Sequence, residues 1–513
     1  MEHYPHTMPP FNHQEEELDQ HWDKPWRAIF WEQGTGKMKA GYDFALTQWQ
    51  AGIIDTLIVL APNGVHRDWV EEGFKKGDPN NPFNQPLVPP EWHDQIDAAW
   101  YHGGKAGNKS HQKKMRDLFY SKKFVVLTMS YDSAKTKKNK ASGWIGGKLF
   151  LEKMLRERRC AFILDEASCI QSPTSQITKT LVGRGGKGGI ARHAVSRRIM
   201  EGTPVDEGPF NVYPQMQFLD QEFWKDRGFA SWASFKTYFG VWREGFNGVT
   251  NKSFQQCVGY QNLDELKRIL KPHSSRVLKK DALDLPDKLY QHVRFEMSPE
   301  QWKMYEQIRE ELMAMVRADG SDIETLLTAE LPIVNVLRLY QITAGYLPFQ
   351  EDVNGEPVER VHTFKENPRL ETALAELRRQ TDKTVVWCRF TRDIDLLTAA
   401  LGKFAVRFDG SISEDERAQN KQEWLKGDAQ YLVPQIQAMA RGHTLNIAPY
   451  VLYYTNDARL RLRRQSEDRT HRGKMNFSVL YGDMLASDTV DEKRVKSLRK
   501  KLAVAETIMG DNE

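Results

Sequence analysis

The sequence predicts an α/β protein: two doubly wound lobes joined by a helical middle region. Three observations carry that prediction. Short unbroken runs of Val, Ile, Leu and Phe, separated by longer polar and helix-capable segments, recur through the first 221 residues. The same rhythm returns after residue 365. Between 222 and 365 the apolar residues instead recur at threes and fours. Continuous apolar runs suit strands buried on both faces of a parallel sheet, and strands that alternate with helices imply βαβ units.

In the first part the runs are RAIFW (27–31), DTLIVLAP (55–62), FVVLTMS (124–130), AFILDEA (161–167) and RRIMEGTP (197–204). In the last part they are TVVWCRF (384–390), AVRFDG (405–410), QYLVPQI (430–436), YVLYYTN (450–456) and FSVLYGD (477–483). In the middle, Trp302, Tyr305, Ile308, Leu312 and Val316 have the spacing of a helix with one buried face. The predicted division is 1–221, a first lobe; 222–365, a helical insertion and linker; and 366–513, a second lobe with a basic end. A cleft between lobes is where such a chain is expected to bind a ligand.

Composition narrows the class. The 513 residues, at about 150 per domain, are ample for sizeable cores. With 40% hydrophobic and 28% charged residues the chain is neither disordered nor collagen-like. A net charge of +4 does not argue for nucleic acid by itself; only local clustering does. The longest apolar runs have strand length, well short of a bilayer span, and the first residues lack the pattern of a signal peptide, so no membrane partner is expected. Cys160, Cys169, Cys257 and Cys388 form no CxxC pair, which points to reduced thiols rather than a disulfide scaffold or zinc site.

The sharpest motif is Gln33-Gly34-Thr35-Gly36-Lys37-Met38, after the RAIFW strand and before a helix-capable segment. Glycines let backbone N–H groups close around phosphate oxygens, a helix N-terminus favours anions, and the lysine neutralises phosphate charge. Its partner is the strand ending in Asp165-Glu166. One carboxylate of such a pair can hold Mg²⁺ and the other can orient an attacking water. A phosphate loop with strand-borne acids implies NTP hydrolysis. Met38 stands where these loops carry a Ser or Thr whose hydroxyl binds Mg²⁺, so the metal falls to Asp165 and waters, or hydrolysis is impaired.

With these residues in order, the chain resembles helicase superfamily two, and within it the SWI/SNF-like branch of DNA translocases, over about residues 10–500. His13-Gln14 resembles the adenine-reading position. LIVLAPNGVHRDWVEEGFKK (57–76) and VVLTMSYDS (125–133) resemble segments facing nucleic acid. EGTPVDEGPFNVYPQMQFLD (201–220) resembles the coupling motif, and RVLKKDALDLPDK (276–288) the branch-specific segment between lobes. RFDGSISEDERA (407–418) and QAMARGHTLNIA (437–448) resemble second-lobe motifs, and Gln465-Ser466-Glu467-Asp468-Arg469-Thr470-His471-Arg472 resembles the arginine-finger motif. Thr489-Val490-Asp491-Glu492 is similar to a string that often follows. Arg469 and Arg472 lie three apart, so a helix would point both from one face, while Arg459, Arg461, Arg463 and Arg464 read as a solvated basic run. Ser168 and Glu201 depart from the usual His and Thr.

The resemblance implies two RecA-like lobes that bind ATP and Mg²⁺ and move on double-stranded DNA without sequence specificity. In that reading Gln14 contacts adenine, Gly34, Thr35, Gly36, Lys37 and Met38 form the phosphate loop, and Asp165 holds Mg²⁺. Glu166 orients water, Arg469 and Arg472 meet the γ-phosphate, and Gln465 belongs to the nucleotide-binding set. Alternatives are a strand-separating or branch-migrating DNA helicase, an RNA helicase, or a weakly hydrolysing, ATP-gated nucleic-acid-binding protein. Basic stretches at Lys109–Arg116, Lys135–Lys140, Lys493–Lys501 and the glycine-flanked Gly183–Gly189 are candidate phosphate contacts. Economy of length suggests the cytoplasm of a prokaryotic or phage-infected cell. Protein partners are not legible.

Overall fold

The apolar runs become strands of two all-parallel sheets. A computed structural model describes residues 6–511 apart from 79–80, 82–83, 136–145, 186, 248–251, 320–332, 354–355, 440–443 and 474. The chain divides into two units. The first comprises Met1–Phe239, Gln261–Asp284 and Val504–Glu513, and the second Gly240–Tyr260 and Leu285–Ala503.

In the first unit β1 (Trp26–Trp31), β2 (Thr56–Ala61), β3 (Ile96–Trp100), β4 (Phe124–Ser130), β5 (Cys160–Asp165), β8 (Ser196–Met200) and β11 (Ser274–Val277) form one sheet. Its order is β11-β1-β8-β5-β2-β4-β3. The two-residue strands β6 (Gly183–Arg184) and β7 (Lys187–Gly188) form a separate small hairpin. Within β2 every residue is buried, and the period of two sends alternate side chains to opposite faces. Ile58 and Leu60 join one core with helices Lys109–Tyr120 and Gly147–Glu157. Leu57 and Val59 join the other with helices Lys37–Gln50 and Val65–Phe74. Covering both faces is what demands an unbroken apolar strand.

The second unit repeats the plan. Its sheet holds β12 (Lys288–Phe295), β15 (Thr384–Trp387), β16 (Ala405–Phe408), β17 (Tyr431–Pro434), β18 (Tyr450–Tyr453) and β19 (Val479–Ala486), in the order β12-β19-β18-β15-β17-β16. Val386 and Leu452 face one core; Val385, Trp387 and Val451 face the other. The fold class is therefore α/β, with two doubly wound parallel-sheet lobes. No helix among the described residues is long and apolar enough to cross a membrane.

The region 222–365 is less uniformly helical than its spacing predicts. Helices Trp232–Phe239, Leu263–Leu270, Pro299–Asp319 and Ile333–Thr343 are present, and Tyr305 and Ile308 are buried as expected. The side chains of Leu312 and Val316 lie outside the described set. The same region also holds the antiparallel hairpins β9 (Gly240–Asn247)–β10 (Lys252–Tyr260) and β13 (Tyr346–Val353)–β14 (Glu356–Thr363), and it supplies edge strands β11 and β12 to the two sheets. An edge strand needs no unbroken apolar run: β12 reads KLYQHVRF and only its last residue is buried.

Candidate functional site

Strand β8 lies between β1 and β5, so the turns that leave the carboxyl ends of these three parallel strands are neighbours. They carry the phosphate loop, the acid pair and the start of the coupling segment.

The loop after β1 depends on left-handed glycines. Gly34 has φ +89° and Gly36 φ +83°, and a Cβ on Gly36 would lie 2.1 Å from Gln14 Nε2. The helix Lys37–Gln50 starts directly after Gly36. Lys37 Nζ donates to the carbonyls of Trp31 (2.8 Å) and Glu32 (3.1 Å), which keeps the ammonium over the loop's own backbone. Thr35 is buried, and its hydroxyl donates to the Glu32 carbonyl at 2.8 Å. Gln14 accepts from the Phe11 N–H and donates to the Gly36 carbonyl, both at 2.9 Å. His13 Nε2 lies 2.9 Å from the Thr35 carbonyl, and burial lowers its pKa from the ordinary histidine value. The amino-terminal helix is thus fastened to the loop through the two residues singled out in the sequence. Met38 is the second residue of the helix Lys37–Gln50. It packs, partly buried, against the core containing Tyr42 and Trp69.

The acids sit at the end of β5. Asp165 is buried, and Trp69 Nε1 donates to its Oδ2 at 2.9 Å. Burial, and then the neighbouring charge of Glu166, push its pKa up to about 6. Glu166 has φ 55° and ψ 58°, a left-handed backbone that costs a non-glycine residue about 1–3 kcal/mol. Gln33 Nε2 donates to Glu166 Oε1 at 3.0 Å, joining the phosphate loop to the acid pair. Gln33, Trp69 and the Tyr131 hydroxyl, which donates to the Asp165 carbonyl at 2.9 Å, were not anticipated as site residues. Gln33 stands in the glycine motif, and Trp69 and Tyr131 stand in the 57–76 and 125–133 segments, but nothing in the sequence ties any of the three to the acid pair. The donor set suits a hard cation: two adjacent carboxylates, one desolvated and aimed by an indole, would be relieved by a divalent ion.

The two departures from the family pattern meet in the structure. Glu201 is buried, and its carboxylate accepts from the N–H groups of Ser168 (2.7 Å) and Thr203 (3.0 Å). The turns after β5 and β8 are therefore tied together by one side chain.

In the second unit, Gln465 and Arg469 are buried on helix Leu460–Thr470. Arg472 is exposed and lies past the helix end, followed by Gly473 at φ +76°. The single helical face expected for the two arginines is thus corrected, because the helix stops before Arg472. Arg463 is also not on a solvated run. It binds Asp483 (2.5 Å) and Glu467 (2.7 Å) and lies 3.7 Å over the Tyr453 ring. Lys288 reaches Glu467 at 3.1 Å, and His471 Nε2 lies 2.6 Å from the Pro286 carbonyl. Burial opposes the charge of Glu467, but Lys288 and Arg463 outweigh it and hold its pKa below the usual carboxylate range. In the Thr489–Glu492 string, Asp491 pairs with the fully buried Arg369, and Glu492 pairs with Arg294.

Among the basic stretches, Lys109, Lys113, Lys114 and Arg116 are exposed on one unit, and Lys493, Lys496, Arg499 and Lys500 on the other. Lys135 pairs with Asp132 at 2.7 Å, while 136–140 lie outside the described residues. Residue 186 of the Gly183–Gly189 segment and 440–443 of the second lobe's glycine-containing loop also lie outside them.

Comparison with known proteins matches residues 90–341 to the SNF2-related domain and residues 367–474 to the helicase conserved C-terminal domain. Among curated relatives, the SWI/SNF chromatin-remodeling complex subunit snf22 of Schizosaccharomyces pombe is 23% identical over 354 residues, 66% of this chain and 20% of that protein. The transcription regulatory protein SNF2 of Saccharomyces cerevisiae is 22% identical over 67% of this chain and 20% of its own length. DNA repair protein RAD5 of Cryptococcus neoformans is 30% identical over 26% of this chain and 12% of its own. The chain thus spans about one fifth or less of these relatives. A solved SWI2/SNF2 ATPase core of Sulfolobus solfataricus in complex with dsDNA aligns over 100% of this chain and 95% of its own, with TM-score 0.40 and 17% identity. The first match takes in Asp165-Glu166 and the 201–220 and 276–288 segments but begins after the phosphate loop, and the second takes in 407–418, 437–448 and 465–472. With the two matches in chain order, the chain belongs to the SNF2-related, SWI/SNF-like branch of helicase superfamily two.

Proposed function

We propose that the chain is an ATP-dependent translocase on double-stranded DNA, an ATPase stimulated by the nucleic acid on which it moves. The observation that carries the reading is the Gln33–Glu166 hydrogen bond, which joins a glycine-built phosphate loop to an acid pair whose Asp165 is buried. Family membership supplies the coupling of hydrolysis to DNA.

In this proposal the backbone of Gly34, Thr35 and Gly36 cradles the phosphates, and Lys37 exchanges two carbonyl partners for β- and γ-phosphate oxygens. Gln14 retains one N–H and one lone pair for an adenine edge after its bonds to Gly36 and Phe11. Asp165, oriented by the Trp69 indole, would hold Mg²⁺. The ion would neutralise phosphate charge. Glu166 orients the attacking water. Gln465, Arg469 and Arg472 meet the γ-phosphate, where a guanidinium stabilises transition-state charge.

The exposed basic residues on each unit suit contacts with backbone phosphates, which confer salt-dependent binding without sequence preference. The four free cysteines suit a reducing cytoplasm, that of a prokaryotic or phage-infected cell in this proposal. One observation favours a second reading, a weakly hydrolysing ATP-gated clamp: Met38, which packs against the core, stands where such loops carry a hydroxyl ligand.

ATPase rates measured with duplex DNA, single-stranded DNA and RNA, for the parent and Glu166→Gln, test the proposal. Strongest stimulation by duplex DNA, with turnover lost and ATP binding kept in Glu166→Gln, is expected. Equal rates for the two proteins would reject the role of the acid pair, and stimulation by RNA alone would reject the substrate.

A further inference from the structure

Arg276 belongs to the segment between the lobes, yet its side chain serves the nucleotide end of the first unit. It lies on edge strand β11 opposite Phe30 of β1. Its Nη1 donates to the carbonyls of Phe30 (2.8 Å) and Gly202 (3.2 Å). Phe30 is in the strand that leads into the phosphate loop. Gly202 follows Glu201, the residue that clamps the turns after β5 and β8. One guanidinium therefore binds the backbone on both sides of the seam between β1 and the coupling segment.

The other side of the guanidinium is fixed by Asp511. Nε and Nη2 meet Oδ1 and Oδ2 at 2.8 and 2.7 Å, a two-pronged pairing, and Glu32 Oε1 stands 3.8 Å from Nη2. Three features aim Asp511. Ala505 and Ile508 are buried in the core of the first unit, Gly510 adopts φ +75°, and the Asp511 N–H donates to the Glu506 carbonyl at 3.0 Å. The left-handed glycine ends helix Val490–Met509 and turns the next side chain back along it. Both charged groups are mostly buried, at 15% and 8% side-chain exposure, so neither can lose the other without an unpaired buried charge.

We propose that Arg276 is a positioning residue for nucleotide binding. Held by Asp511, it sets the spacing between the phosphate-loop strand and the 201–203 turn, and so transmits the placement of the carboxyl-terminal helix end to the nucleotide site. The proposal rests on the ATPase reading for its functional consequence, but the structural link stands apart from it.

Arg276→Lys keeps the charge and loses the fork. Asp511→Asn keeps the shape and removes the charge. Hydrogen exchange of the full chain without nucleotide, read in peptides spanning 30–36 and 199–204, reports the link directly. Binding of a fluorescent ATP analogue reports its consequence. Faster exchange in both peptides, with nucleotide affinity weakened about tenfold as expected for losing a charge-assisted buried hydrogen bond, is the predicted result for Arg276→Lys, with the same pattern in Asp511→Asn. A lower melting temperature with unchanged exchange in these peptides would overturn the proposal, since a merely structural pair predicts it. Faster exchange with unchanged affinity would overturn the functional half. If the parent binds no adenine nucleotide, the ATPase reading fails, and the exchange comparison still decides the link.

Discussion

At Asp165 burial works against the charged form of the carboxylate proposed to hold Mg²⁺. Its folded pKa of about 6 lies above the ordinary 3.8, so ionising it costs the folded protein roughly 3 kcal/mol. The sign follows from linkage: the folded state binds the proton more tightly, so this contribution is present below pH 4 and is lost as pH rises through about 6. Urea unfolding of the nucleotide-free protein should find Asp165→Asn more stable than the parent at pH 8 by up to about 3 kcal/mol, with the gain fading towards pH 4. Equal stabilities at pH 8 would mean that the carboxylate is not desolvated. Met38 offers a second check. Since it packs against the core, Met38→Thr should cost about 1–2 kcal/mol and leave the Mg²⁺ midpoint of ATPase activity unchanged. A lowered midpoint would show that a missing hydroxyl limits the metal site. At this scale the glycines, Lys37 and the acids were legible because each residue type is tied to one chemistry. Trp69, Tyr131 and Arg276 were not, because their parts depend on strand neighbours far away in sequence.

Helix Leu460–Thr470 shows how an element can be placed correctly and its faces misread. The arginine string announces the helix. Which arginines are buried depends on Asp483 of β19 and on Lys288 of β12, and no spacing within the helix reveals either. The network makes Glu467 the keystone, with Arg463 on one oxygen and Lys288 and Tyr290 on the other. Glu467→Gln leaves the buried Arg463 short of charge and should destabilise the second unit by about 3–5 kcal/mol in thermal or urea unfolding. A cost below about 1 kcal/mol would show that the network is only a surface arrangement. For catalysis, Arg472→Ala should lower kcat about a hundredfold in the presence of DNA. Arg459→Ala, whose partner is the adjacent Asp457, should change it little. Similar losses in both would reject the finger assignment. Among strands, the fully buried ones were legible from unbroken apolar runs. Edge strands β3, β11 and β12 and the hairpins β9–β10 and β13–β14 were not, since half-solvated pairing leaves only weak alternation.

At the scale of the molecule, the chain is two parallel sheets, with the candidate nucleotide site at the strand ends of the first and a charged helix network in the second. That duplication was legible because a sheet covered on both faces imposes the same composition wherever it occurs. The assignment of chain to unit was not, because Gly240–Tyr260 and Val504–Glu513 belong with partners distant in sequence. The central claim is movement along duplex DNA driven by hydrolysis. Displacement of a third strand from a triplex at the end of a DNA duplex measures it most directly. The account predicts ATP-dependent displacement by the parent, none by Glu166→Gln, and an intact underlying duplex throughout. Steady ATP hydrolysis on the same DNA with the third strand left in place would contradict it.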